Sequence, residues 1–156
     1  MDPRIAGLLP RIPLTRALSE GDRAQLAAIA TLEEHRAGAT VFREGAASDA
    51  VYLVAEGLVS LSMRLPGRPE MTLLTLGPGD LAGWSALTDA PLVVASGCAV
   101  ERVVLIRLPR DALLALCDQD HDIGYAVMRL ALGEVARRLH ETRLQLLDMF
   151  GGEGAA

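Results

Sequence analysis

Between Gly38 and Leu108 glycine and proline cut the chain into short apolar runs, and this punctuation limits the middle of the protein to a β-rich core. Val41-Phe42 lies between Gly38 and Gly45. Val51-Tyr52-Leu53-Val54 runs on to Gly57. Leu58-Val59-Ser60-Leu61-Ser62-Met63 alternates with period two, Pro66-Gly67 makes a hairpin tip, and Met71-Thr72-Leu73-Leu74-Thr75-Leu76 follows. After the turn Gly77-Pro78-Gly79 come Val93-Val94-Ala95-Ser96 and Val103-Val104-Leu105-Ile106-Arg107-Leu108. Short β-rich runs set apart by turns every roughly 8–12 residues predict a barrel or double-sheet jelly roll.

The flanks keep a helical rhythm. Ser19 and Asp22 stand three apart, as in a capping box, and predict a helix from about Ser19 to Leu32; Leu14 to Leu18 adds a turn of its own. Pro109-Arg110-Asp111 opens a short helix through Leu116. A long helix is predicted from about Asp122 to Met149. Along it Met128, Leu132, Val135, Leu139, Thr142, Leu146 and Met149 are spaced 4, 3, 4, 3, 4, 3, a heptad seam. Val127, Leu130 and Ala131 give its first half a second apolar flank, to pack on the β core. Its second half, flanked by Arg137, Arg138, Glu141 and Arg143, is expected to meet its twin in a homodimer. Gly151 to Ala156 is expected to be a disordered tail.

Composition narrows the function. The net charge is −5, from 20 acidic and 15 basic residues, and every basic residue is arginine. An acidic chain without a basic stripe gives no sign of a nucleic-acid partner. Cys98 and Cys117 fit no disulfide framework, so a reducing cytoplasm is the expected compartment; Cys98 is expected buried and Cys117 partly buried, both as free thiols. No run approaches membrane-spanning length. His35, His121 and His140 are far apart, two cysteines are too few for an iron–sulfur cluster, and no nucleophile elbow surrounds Ser85. No metal, no cofactor and no enzymatic activity is therefore expected. Asp80 and Asp89 read as turn residues, and Arg64 and Arg68 as solvated residues beside the hairpin tip.

The order of these pieces resembles the cyclic nucleotide-binding domain, the sensor half of Crp/Fnr-type regulators. The resemblance is carried by Gly38-Ala39-Thr40-Val41, Glu44-Gly45, Asp49 to Val54, Gly57-Leu58-Val59 and Leu76-Gly77-Pro78-Gly79-Asp80, and spans about Leu14 to Leu147. It implies an α+β, mainly β fold: an eight-stranded β-roll with an N-terminal helix and a short plus a long C-terminal helix, forming one domain over residues 1–150. Seven residues follow Met149, so no helix-turn-helix domain and no direct nucleic-acid contact are expected of this chain.

The departures from that family bear on ligand binding. Its phosphate-binding cassette carries a glutamate for the ribose hydroxyl and an arginine for the cyclic phosphate. The matching stretch here is Ala82-Gly83-Trp84-Ser85-Ala86-Leu87, with Trp84 at the glutamate position; the arginine position falls on Leu92 or Val93. A hydrogen bond to a charged group contributes roughly 1.5–3 kcal/mol, so losing both removes about two to four decades of affinity. The expected function is a non-enzymatic regulatory module that does not bind cAMP or cGMP tightly. Its candidate ligand site is Gly83, Trp84, Ser85, Ala86, Leu87 and Leu92 or Val93. One alternative is an assembly module that kept the fold without a ligand. Another is a cyclic nucleotide binder using a different arginine, such as Arg102 or one from a dimer partner.

Overall fold

Two four-stranded antiparallel sheets face each other, with strand orders β1-β8-β3-β6 and β2-β7-β4-β5. The strands are β1 Thr31–His35, β2 Thr40–Phe42, β3 Ala50–Glu56, β4 Val59–Met63, β5 Met71–Leu76, β6 Leu81–Ala82, β7 Ser96–Ala99 and β8 Val103–Pro109. Three helices precede them, α1 Pro3–Leu8, α2 Pro13–Arg16 and α3 Glu20–Ile29, and two follow, α4 Arg110–Gln119 and α5 His121–Gly151. The structure, a computed structural model, describes residues 2–151, less the side chain of Leu14.

β3 and β8 explain why two segments of the sequence are apolar without a break. Successive side chains of a strand point to opposite faces. Val51, Leu53, Ile106 and Leu108 enter a cluster with Ile5, Leu9, Leu26, Leu113, Ile123 and Val127 from the helices. Ala50, Tyr52, Val54, Val103 and Leu105 point the other way, into a cluster with Val59, Leu61 and Leu76 of the second sheet. The first sheet is thus the middle layer, covered on both faces. β4 alternates because Val59 and Leu61 face the second cluster while Ser60 between them is only half-buried.

The capping box forms at α3: the Asp22 amide donates to Ser19 Oγ (3.1 Å) and the Ser19 amide to Asp22 Oδ2 (3.2 Å). The helix ends at Ile29, not at Leu32. Ala30 turns into the extended region, and Thr31 to His35 pair with Arg107 to Val103 of β8. The edge of the middle sheet takes these residues, and Leu32 packs on the helix-side core from a strand.

The segment Val93 to Ser96 was expected as a strand, but the strand is Ser96–Ala99, between β2 and β4. Gly97 lies under the Phe42 ring so closely that a Cβ would come within 2.6 Å of it, and this fixes the register of β7. Val93 is bound to the preceding loop instead: its amide donates to the Ala46 carbonyl (2.9 Å), and the Gly45 amide donates to the Val93 carbonyl (2.8 Å). The cysteines exchange their expected places. Cys98 is half-buried and Cys117 is the buried one; both are free thiols, and burial pushes the Cys117 thiol up. α1 and β6 had no counterpart in the sequence reading. α5 runs on to Gly151, the first residue of the expected tail, and residues 152–156 lie outside the described ones.

Gly38 and Gly57 share a φ of +83° but not their surroundings. Nothing lies within 4 Å of a Cβ at Gly38, whereas at Gly57 it would meet the Arg102 carbonyl oxygen at 2.3 Å. Gly38→Ala is expected to lose about 1–2 kcal/mol, the left-handed cost alone. Gly57→Ala is expected to lose clearly more, as the β3–β4 turn must leave β8. Urea melts of the two variants check this; equal losses would show that the turn moves freely.

Candidate functional site

The site begins where β6 leaves the middle sheet. Gly83 has a φ of +75°, and a Cβ there would lie 2.7 Å from the Ala50 carbonyl oxygen, so the chain passes this close to β3 only as glycine. A single 3-10 turn, Trp84–Leu87, follows, with the Ala86 amide donating to the Gly83 carbonyl (3.0 Å). Ala86 is fully buried and Leu87 packs beside it in the helix-side core. These two residues anchor the turn and do not line a cavity.

The turn borders a cavity of about 240 Å³ between the sheets and α5. Its walls are largely apolar, from Val41, Phe42, Tyr52, Leu61, Val93 and Val94. The Phe42 and Tyr52 rings stack with centroids 5.6 Å apart. Burial pushes the Tyr52 phenol up, against the opposing pull of Arg107. Gly83, Trp84, Ser85 and Val93 of the sequence-derived set line this cavity; Ala86, Leu87 and Leu92 do not. Of the two residues read at the family's arginine position, Leu92 is 56% exposed and Val93 lies in the cavity wall.

The polar groups at the cavity are few. Ser85 Oγ donates to Ser48 Oγ at 3.1 Å, and both serines are buried. Asp49 stands at the exposed rim with its charge met by Arg107 at 2.9 Å. Arg43 is on the exposed rim as well. Arg102, the arginine suggested as a replacement phosphate partner, is elsewhere. It pairs with Glu34 (2.6 Å) and Glu56 (3.5 Å) and does not line the cavity.

The arginine that does reach the cavity from the long helix is Arg138. Its side chain is only 16% exposed, and Nη2 donates to the Leu81 carbonyl at 3.0 Å. Burial pulls its guanidinium below the ordinary value, with Glu134 3.9 Å away acting against that. Glu134 also holds Arg137 at 2.7 Å, and Arg137 in turn lies 3.7 Å from Asp80. Asp80 keeps its turn role, accepting the Gly77 amide at 2.8 Å. Arg137, Arg138 and Glu141 had been read as flanking an intersubunit seam; Arg137 and Arg138 reach β6 and the turn before it, and Arg138 and Glu141 line cavities against the β-roll. The signal was present in the sequence. Glu134, Arg138, Glu141 and Gln145 are spaced 4, 3, 4, a polar stripe one residue behind the apolar seam.

Among the described residues no cluster of His, Cys, Asp and Glu is placed to hold a metal ion, and no helix is long and apolar enough to cross a membrane.

Comparison with known proteins agrees with this architecture. The model of the family described as the cyclic nucleotide-binding domain matches residues 32–120. The cyclic AMP receptor protein of Thermus thermophilus is 38% identical over 118 residues, 76% of this chain and 52% of that protein. The CRP-like cAMP-activated global transcriptional regulator of Mycobacterium tuberculosis is 30% identical over 112 residues, 72% of this chain and 48% of that protein. The chain therefore spans about half the length of these relatives. A solved structure, the N-terminal domain of a transcriptional regulator from Streptomyces coelicolor A3(2), superimposes with a TM-score of 0.67 at 33% identity, covering 90% of this chain and 95% of that one.

The serine pair yields a thermodynamic cycle. Ser85→Ala leaves the buried Ser48 hydroxyl without its partner and is expected to lose about 1–3 kcal/mol. Adding Ser48→Ala removes the orphan, so the double variant is expected to lose less than the sum of the single losses. Chemical denaturation of the four proteins checks this; strict additivity would mean that the hydroxyls do not interact.

Proposed function

The chain belongs to the cyclic nucleotide-binding domain family, of Crp type, and from that premise we propose that it is a non-enzymatic sensor module whose cavity does not hold cAMP or cGMP tightly. The observation that supports this is the wall itself: Val93 and Trp84, the residues read from the family pattern as replacing its phosphate arginine and ribose glutamate, both line the cavity. A phosphate desolvated against Val93 would meet no charge there, and an unpaired buried ion is costly. The cassette backbone remains, in Gly83 and the turn that follows.

Calorimetry with cAMP and cGMP tests the proposal. Dissociation constants weaker than about 10 μM, or roughly 7 kcal/mol, are expected. Tighter binding would mean that Arg43 or Arg138 meets the phosphate, and would end the proposal. The pair Trp84→Glu and Val93→Arg is expected to raise the affinity by about two decades or more, since two charge-assisted bonds return. Continued silence in that variant would favour an assembly module that has kept only the fold.

We further propose a homodimer through α5. Met128, Leu132, Leu139, Thr142, Leu146 and Met149 are all exposed, with Val135 half-buried. A row of apolar side chains at heptad spacing on one exposed helix face suits a second copy of the same helix. Leu139→Asp is expected to weaken association about tenfold or more, because a buried leucine contributes about 1.5–3 kcal/mol. Arg143→Glu, beside the seam, is expected to change it little. Light scattering at micromolar concentration checks both, and a 16.5 kDa monomer in the parent protein would sink the dimer.

A further inference from the structure

The chain has only five aromatic residues, and three of them, Phe42, Tyr52 and Trp84, line the one cavity of about 240 Å³ between the sheets and α5. The other two, Tyr125 and Phe150, stand exposed on α5. Every aromatic ring of the β-roll is therefore spent on this space. Phe42 and Tyr52 stack with centroids 5.6 Å apart. Aromatic rings hold planar apolar partners by offset stacking and edge-to-face contact.

The polar groups of the lining are already engaged. The Ser48 and Ser85 hydroxyls bond to each other at 3.1 Å. Asp49 is held by Arg107 at 2.9 Å, and Arg107 also stands beside the Tyr52 phenol. Arg138 donates from Nη2 to the Leu81 carbonyl at 3.0 Å. Arg43, the remaining ion of the lining, is on the exposed rim, where water meets its charge. A buried water needs two to four polar partners. This wall has few uncommitted ones, so it is a poor site for ordered water.

The apolar wall, in contrast, is left uncovered. Val94 is 46% exposed, and Val41, Phe42 and Val93, which line the same space, are only half-buried. The loop after β2 is bonded to Val93 in both directions, so these four side chains edge one mouth. Single exposed apolar residues are ordinary, whereas a group of them around one opening marks a binding surface. An apolar cavity of roughly 150 Å³ takes one benzene ring. At about 240 Å³ this one has room for two fused rings.

We infer that the cavity takes an uncharged, planar aromatic molecule of about two fused rings, held among Phe42, Tyr52 and Trp84 and covering Val93 and Val94 at the mouth. This inference rests on the sensor role proposed above and names the ligand class for it. Trp84 then has a function where the family pattern has a glutamate: it completes an aromatic wall.

Trp84 is the single tryptophan of the chain, so in nitrogen-labelled protein its indole N–H gives one magnetic resonance signal that unlabelled probes do not obscure. The probes are naphthol, its saturated analogue decahydronaphthol, naphthoate and cAMP, each titrated into the millimolar range at neutral pH. Naphthol is expected to move the signal saturably. Decahydronaphthol is expected to bind about two- to tenfold more weakly, having lost the aromatic contacts. Naphthoate is expected to bind about tenfold more weakly or worse, since its charge must be desolvated against the apolar wall. Val94→Asp, which puts a charge at the mouth, is expected to weaken naphthol about tenfold. Val100→Asp, at a residue that is 53% exposed and outside the lining, is expected to leave it unchanged. Equal losses in the two variants would place the probe elsewhere and overturn the inference. If Val94→Asp fails to fold, the ranking of the probes in the parent protein decides alone. Equal or tighter binding of decahydronaphthol would overturn the aromatic requirement, and of naphthoate the neutral one, with the sensor role left standing in both cases. Silence of all four probes would overturn the ligand class alone. A tight response to cAMP would overturn both the ligand class and the sensor proposal.

Discussion

The pairing of β3 with β8 is the constraint from which the rest follows. Both strands are buried on both faces, so helices must cover one side and a second sheet the other. A lone sheet of this composition would expose a broad apolar surface, at about 25 cal/mol for each Å² left in water. The cover dictates the site. β6 can join this sheet only next to β3, and its exit passes so close to the Ala50 carbonyl that residue 83 must be glycine. The turn after it is held by Ala86, which is fully buried in the same core. The position of Trp84 is therefore a consequence of how the middle sheet is covered.

The long helix answers to two environments. Its first turns bury Ile123 and Val127 in the helix-side core, as an amphipathic helix should. Further along, the relation inverts: the polar stripe of Glu134, Arg138, Glu141 and Gln145 faces the β-roll, while the apolar seam one residue later faces outward. A step of one residue turns the helix by roughly 100°. The two stripes are thus neighbouring faces, and a roll of α5 by that angle would exchange one for the other. What opposes that roll is polar: the Leu81 carbonyl held by Arg138 and the Leu73 carbonyl held by Gln145. Whatever occupies the wall at Trp84 and Arg138 touches the same side chains that hold the helix in place.

Much of the fold was legible because several local signals agreed. β3, β4, β5 and β8 announced themselves by apolar runs between turns, α3 by its capping box, and α5 by length and period. The losses have separate causes. β1 has two adjacent glutamates, and only its partner β8, which places Arg107 3.4 Å from Glu33, makes it a strand. β6 has two residues, too few for any period. Val93 and Val94 have strand propensity, but the loop from Gly45 to Ala47 claims the hydrogen bonds of this segment, and the β7 register is set by Gly97 under Phe42. Propensity gave way to tertiary pairing in each case. At the site, the cassette turn was legible from the family pattern, and Ser48 and Arg138 were not. A serine before a strand carries no signal. Arg138 was read as flanking the intersubunit seam, because charged residues beside an apolar heptad seam ordinarily serve there.

On the reading that Trp84 and Val93 stand in for the family's glutamate and arginine, the pair has a physical logic that either one alone would lack. An arginine kept at position 93 without its phosphate would be a buried cation facing Phe42 and Tyr52, and burial already lowers the affinity of Arg138 for its proton, with Glu134 only 3.9 Å away. A glutamate kept at position 84 would stand near an α5 stripe where Glu134, Glu141 and Asp80 already outnumber Arg137 and Arg138. Either ion alone would be uncompensated in a space walled by valine, leucine and aromatic rings. With tryptophan and valine at these positions the two buried serine hydroxyls of the cavity pair with each other, Ser85 to Ser48. The buried charge that borders it, Arg138, belongs to the helix and has Glu134 3.9 Å away. In a space walled this way shape counts for more than charge, and Arg138, which lines it and holds the Leu81 carbonyl, ties that wall to the long helix.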